Sequence, residues 1–323
     1  MKISAPALRI VAFALLVFLP LAAGEAWLRR QPNPSASKHA WLSAHSREVQ
    51  TLVLGSSHTY YGIAPELLGV HAYNAAQVSQ TLRYDDWLLS AYPFPRLRQV
   101  IVPVSDFTLY EELEDGPEWH LASRYRIYMH CDIHPRFGVY GWECTDFPSF
   151  CQKLTQLWKP RRMHWSHLGQ GLEYTLADRS DDWDNGAARA AHNAYTDLSQ
   201  APRGIAHLER IAARCHQQGA RLVLVMTPLR PSYSSAQLPA QVRDTERRIA
   251  AFVARHPHEA VLLDYRAHPS FTAADFYDAD HLNTDGARKL SLLIRAALGG
   301  DNLLSASGRA RSANHYALTQ ELA

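Results

Sequence analysis

The sequence predicts a doubly wound α/β fold built on a mostly parallel five-stranded sheet. Three observations predict it. Five short apolar runs are continuous rather than alternating in polarity, as strands buried on both faces are. Amphipathic helical patterns fall between and after them, and the strand, helix, strand repeat implies right-handed crossovers. A single long stretch, 107–201, breaks the alternation, so it reads as an insertion after the third strand.

In chain order, the strand candidates are 51–55 (TLVLG), 71–75 (HAYNA), 99–106 (QVIVPVSD), 221–228 (RLVLVMTP) and 260–265 (AVLLDY). Helices are predicted at 81–92, 204–218 (closed by Gly219), 239–255 and 284–298. The insertion is rich in Trp, Tyr, His and Asp, with helix expected near 147–158 and 187–195. Long excursions from the carboxyl end of a strand in such a sheet build pockets or lids. The polar residues 299–323 read as a disordered tail.

The 323 residues carry 33 Lys plus Arg against 31 Asp plus Glu, a net charge of +2, which excludes the basic balance of a nucleic-acid binder. A mean hydropathy of −0.26 excludes a polytopic membrane protein. One segment stands outside that average. After Lys2 and Arg9 comes an uncharged stretch, 10–24 (IVAFALLVFLPLAAG), then Trp27, Leu28, Arg29 and Arg30. It fits a signal peptide, with small residues Ala22, Ala23 and Gly24 where a peptidase cuts. It also fits an uncleaved anchor, although the uncharged stretch is shorter than the roughly 20 residues that span a bilayer. Residues 1–30 are therefore assigned to export or tethering and 31–50 to a flexible linker. Both readings place the domain outside the cytoplasmic membrane. Cys131, Cys144, Cys151 and Cys215 fit an oxidising compartment, with one or two disulfides expected.

The first strand runs into Gly55, Ser56, Ser57 and His58, and Asp278, Ala279, Asp280, His281, Leu282 and Asn283 precede the last helix. Both segments belong at the carboxyl edge of the sheet. A serine hydroxyl is a weak nucleophile unless an imidazole takes its proton and a carboxylate fixes the tautomer. Ser57, His281 and Asp278 supply the three groups. Asp280 is expected to cap the final helix or face water, and His58 to line the pocket or pack.

This pair of motifs resembles the SGNH/GDSL serine hydrolases. Gly55-Ser56-Ser57 stands where the family has Gly-Asp-Ser, and Asp278-x-x-His281 matches its last block. The resemblance covers most of 51–298 apart from the insertion. It implies a flavodoxin-like sheet, Ser57 as nucleophile, His281 as general base and Asp278 as the orienting carboxylate. It also implies an oxyanion hole from the N–H groups of Ser57 and Ser79 with the Ser105 side chain. Ser79 replaces the family's Gly and Ser105 its Asn. Gly-Ser-Ser, Asp-His-Leu-Asn and the N-terminal anchor resemble the branch that handles acyl groups on alginate or teichoic acids.

The expectation is thus an exported, membrane-tethered serine esterase or O-acyltransferase acting on acyl, chiefly acetyl, esters of a cell-envelope or secreted glycan. Its partners are an acylated carbohydrate or lipid-linked glycan and the membrane, with no nucleic acid, cofactor or metal. Two alternatives stay open. One is a catalytically degenerate glycan-binding or assembly protein. The other is a metal-dependent hydrolase, for which the pairs His130 and His134, His164 and His167, and His256 and His258 are the candidate ligands. Asp178, Asp181, Asp182 and Asp184 with Asn185 and Gly186 lack the terminal Glu of a calcium loop and read as an acidic turn. Tyr110, Trp119, Tyr125, Tyr128, Trp142, Trp158, Trp165 and Trp183 are candidates for sugar stacking or for a small core of the insertion.

Overall fold

A computed structural model describes residues 5–133, 141–145, 147–155 and 164–299. The elements, in order, are α1 (Ala5–Leu28), α2 (Pro34–His45), β1 (Thr51–Val53), α3 (Ser57–Gly62), β2 (Ala72–Asn74), α4 (Leu82–Ala91), β3 (Gln99–Pro103), α5 (Ala122–Met129), α6 (Phe147–Thr155), α7 (Gly186–His192), α8 (Ala201–Gln217), β4 (Arg221–Met226), α9 (Pro231–Ser234), α10 (Pro239–Arg255), β5 (Ala260–Asp264) and α11 (Thr284–Ala297). All four strand pairings are parallel and the order is β2-β1-β3-β4-β5, the flavodoxin-like arrangement.

Successive residues of a strand face opposite sides, and both sides here are covered. Leu52, Val100, Val102, Leu222 and Leu224 pack with Leu88 of α4, Leu208 and Ile211 of α8, and Ile249 and Phe252 of α10. Val53, Ile101, Val223 and Val225 face the other way, onto Ile63 and onto Leu290 and Ile294 of α11. That two-sided demand explains the continuous apolar runs. α4 and α8 are further joined where Asp86 accepts from Arg210 at 2.5 Å and Arg214 at 3.1 Å.

The residues expected as a linker fold instead. Asn33 caps α2 and Pro34 opens it. Leu42 and Lys38 of this helix are completely buried. Lys38 Nζ donates to the carbonyls of Asn74 and Gly169, joining α2, the end of β2 and the insertion. Burial, with the Arg124 charge nearby, pushes its pKa well below the usual lysine value. All four cysteines are free, contrary to the disulfide expectation: Cys131 and Cys215 are buried as small core residues, and Cys144 and Cys151 are half-buried.

α1 is longer than the uncharged stretch because it begins at Ala5, takes in Arg9, and continues past Gly24 to Leu28. By length and composition it is long and apolar enough to cross a membrane, a test that a signal sequence also passes. Its Leu8, Ile10, Phe13, Leu16 and Phe18 are exposed, whereas its last turn is packed. There Glu25 accepts from the N–H groups of Glu143 and Cys144 at 3.0 and 3.1 Å, and Arg29 donates to the Gly141 carbonyl at 2.6 Å. The expected tail beyond residue 299, His134 and Trp158 lie outside the described residues.

Candidate active site

The turn after β1 is tightly constrained. Gly55 has φ +101°, and a Cβ there would lie 2.1 Å from Pro103 Cδ, so only glycine fits. Its N–H is bound by the Asp85 carboxylate at 2.8 Å, and its carbonyl accepts from Gln77 N–H at 3.1 Å. Burial pushes the Asp85 carboxyl up to about 7, opposed by the Gln80 and Gly55 hydrogen bonds. The chain then enters α3 at Ser57, the only residue from 51 to 65 that is not buried.

The loop bearing the other motif is equally framed. Phe276 and Leu282 form an isolated antiparallel bridge, and Tyr277 N–H donates to the His281 carbonyl at 2.9 Å. Asn283 caps α11, its side chain accepting from the N–H groups of Asp285 and Gly286 at 3.0 Å. The framing delivers His281 to Ser57. His281 Nε2 lies 2.8 Å from Ser57 Oγ, and Nδ1 lies 3.0 Å from both carboxylate oxygens of Asp278. With the imidazole neutral, Ser57 donates to Nε2 and Nδ1–H donates to Asp278.

Asp280 departs from expectation, for neither does it cap α11 nor face water. It is 1% exposed. Arg189 of α7 binds it through Nε and Nη2 at 2.7 and 3.0 Å, and Asn193 adds a third donor at 3.1 Å. Burial opposes its charge, yet His281, His58 and Arg189 hold its carboxyl well below the usual range. Burial likewise opposes charge on His281, but Asp280 and Asp278 overcome it and raise its pKa to about 9. His58 stacks on His281 at 4.5 Å, and its pKa is lowered by burial and by that neighbour.

Ser79 has φ +56°, the left-handed conformation for which glycine is better suited. It is buried in the turn after β2. Ser105 borders a small cleft beside His58, and its N–H is donated to Thr108 Oγ1 at 3.0 Å.

Three tyrosines form a wall that the motifs did not announce. Tyr61, Tyr174 and Tyr277 stack in sequence at 3.7 and 3.9 Å, and Tyr174 meets the His281 ring edge-on at 5.4 Å. Tyr174 and Arg189 both come from the insertion, and no local pattern marks either. Of the sugar-stacking candidates, Tyr110 and Tyr125 are buried, and Trp183 lies between the guanidinium groups of Arg179 and Arg230 at 4.0 and 5.3 Å. In the acidic turn, Asp184 pairs with Arg230 and Asn185 caps α7.

Among the described residues, His58, Asp280 and His281 form the group that could offer a metal three ligand atoms within 4.8 Å of one another. A cation there would sit against the Arg189 guanidinium, and His281 is already shared by Ser57 and Asp278. The donor set does not fit a metal.

No protein-family model matches the chain, and no curated protein matches it. Solved structures with similar chain traces include a proposed platelet activating factor from Streptococcus pneumonia, at 9% identity and TM-score 0.45 over 89% of this chain and 99% of that one. Another is a proposed acylhydrolase from Bacteroides fragilis, at 11% identity and TM-score 0.41 over 84% and 95%. A third is a proposed arylesterase from Agrobacterium tumefaciens, at 13% identity and TM-score 0.35 over 77% and 98%. At such scores the likenesses carry no weight for activity. The fold class rests on the sheet topology.

Proposed function

We propose that the chain is an exported serine esterase or O-acyltransferase that acts on acyl esters, acetyl first, of a cell-envelope or secreted glycan. The observation that carries this is the continuous line from Ser57 Oγ through His281 to Asp278, with the hydroxyl at the one accessible position of its turn. Ser57 Oγ attacks the ester carbonyl carbon as its proton passes to His281 Nε2. The carbonyl oxygen becomes an oxyanion, received by the N–H groups of Ser57 and Ser79 with the Ser105 hydroxyl. The tetrahedral species collapses, the alcohol leaves with the proton from His281, and the acyl group stays on Ser57. Water or a sugar hydroxyl then attacks, returning its proton through His281 and freeing the serine.

Localisation is part of the same reading. We read α1 as an uncleaved anchor, a reading supported by the packing of its last turn, where Gly24 lies against Phe150 and Glu25 accepts from the backbone N–H groups at 143–144. The test is turnover of a chromogenic acetyl ester by the purified protein, wild type against Ser57→Ala. Loss of turnover by at least about 10³-fold is expected. Equal rates would overturn the mechanism.

A further inference from the structure

A second row of groups lies behind the Ser57–His281–Asp278 line. Asp280 Oδ1 is 3.4 Å from His281 Nδ1, and its Oδ2 is 3.3 Å from His58 Nε2. The carboxylate cannot swing, because Arg189 grips both oxygens and Asn193 donates to Oδ2. Asn193 is itself tied to the Tyr233 hydroxyl at 2.9 Å, which donates to Asp106 at 3.2 Å. His58 fills the remaining side, between the His281 ring at 4.5 Å and Phe107 at 5.4 Å.

The geometry points to Asp280 as a second positioning carboxylate for His281, locked in place by Arg189, with His58 as a neutral spacer that keeps the imidazolium stacked and dry. The inference rests on the triad reading above.

Charge counting gives its physical content. The groups facing His281 are Ser57, His58 and Tyr61 from α3 and its N-terminal turn, Tyr174 and Arg189 from the insertion, and Asp278 and Asp280 from its own loop. Asp278, Asp280 and Arg189 together carry one net negative charge, so protonating His281 leaves the cluster neutral. Without Asp280, Asp278 and Arg189 cancel each other, and the same proton creates a net positive charge in a buried place. Asp280 therefore stabilises the imidazolium that forms when Ser57 gives up its proton, while Asp278 takes the Nδ1–H bond. His58 stays uncharged under burial and beside His281, so the stacked ring adds no opposing charge.

The experiment is a titration of the His281 ring by carbon-edited NMR, in the full-length chain in detergent, for wild type and Asp280→Asn. The wild-type midpoint is expected near 9. The variant's should fall by about one unit or more, a tenfold or greater loss of proton affinity. A pH profile of Ser57 labelling by a fluorophosphonate should move its acid limb to lower pH by the same amount. Asp280→Asn leaves the Arg189 charge only the more distant Asp278 at 4.0 Å, so Asp280→Asn/Arg189→Met, which restores the net charge, is the second variant, with a midpoint expected between the other two. Midpoints unchanged from wild type in a folded variant overturn the inference. The titration reads His281 directly, so a failure of Ser57 to label would count against the proposed function alone.

Discussion

His281 sits where burial disfavours its charge and two carboxylates favour it, and the carboxylates win. The folded-state pKa is raised above the ordinary histidine value, so the proton's contribution to stability is fully present below about 6.5. It is lost as pH rises through about 9. Under the proposed function His281 takes the Ser57 proton and must be unprotonated to do so, so activity runs the other way. We expect kcat/KM on an acetyl ester to climb with pH up to about 9 while thermal stability declines over the same window, and paired rate and melting measurements check both signs. Ser79 gives a second test at this scale. Ser79→Gly keeps the N–H and suits φ +56°, so turnover should be retained. Ser79→Pro removes the donor and forbids that φ, and turnover should fall by about 10²-fold or more. The meeting of Ser57, Asp278 and His281 was legible in the sequence because each motif is a short local string at a strand or helix end. The place of Asp280 was not legible for the opposite reason, since it depends on Arg189, 91 positions away in a region without regular pattern.

The strands and the four long helices around them declared themselves through apolar period and buried runs, and their observed ends differ from expectation by three residues or fewer. α2 did not. Its buried positions include Ser35 and Lys38, so no hydrophobic stripe betrays it, and Asn33-Pro34 reads equally well as linker. Between α4 and α8, Asp86 accepts from His207, Arg210 and Arg214. Although burial opposes its charge, these partners bring its pKa down to about 2. A depressed carboxylate contributes stability above its unfolded value near 3.8 and loses it as pH falls through about 2. Acid unfolding followed by circular dichroism should therefore show a shallower pH dependence between about 4 and 2 in Asp86→Asn than in wild type. At the end of α1, Glu25→Ala would leave the N–H groups of Glu143 and Cys144 without their acceptor, a cost of about 1–3 kcal/mol. Faster proteolysis at 141–145 in the variant is the expected readout.

At the scale of the molecule, parallel topology puts the ends of β1, β2, β3 and β4 on one edge, and Ser57, His281 and the insertion gather there. The sheet between two helical layers supplies the rigidity. Leu224, fully buried in β4, is a fair probe: Leu224→Ala should cost about 2–5 kcal/mol, measured by urea unfolding, with little change in kcat at temperatures where the variant remains folded. Lys38 bears on a different property, the order in which the chain can assemble. Its two acceptors stand 36 and 131 positions further along. An N-terminal helix that needs residue 169 to satisfy its amine cannot lock early. The carbonyl of Asn74 is within reach once β2 has emerged, but the second acceptor comes only with residue 169, so we expect the amine to be fully satisfied only once the insertion is in place.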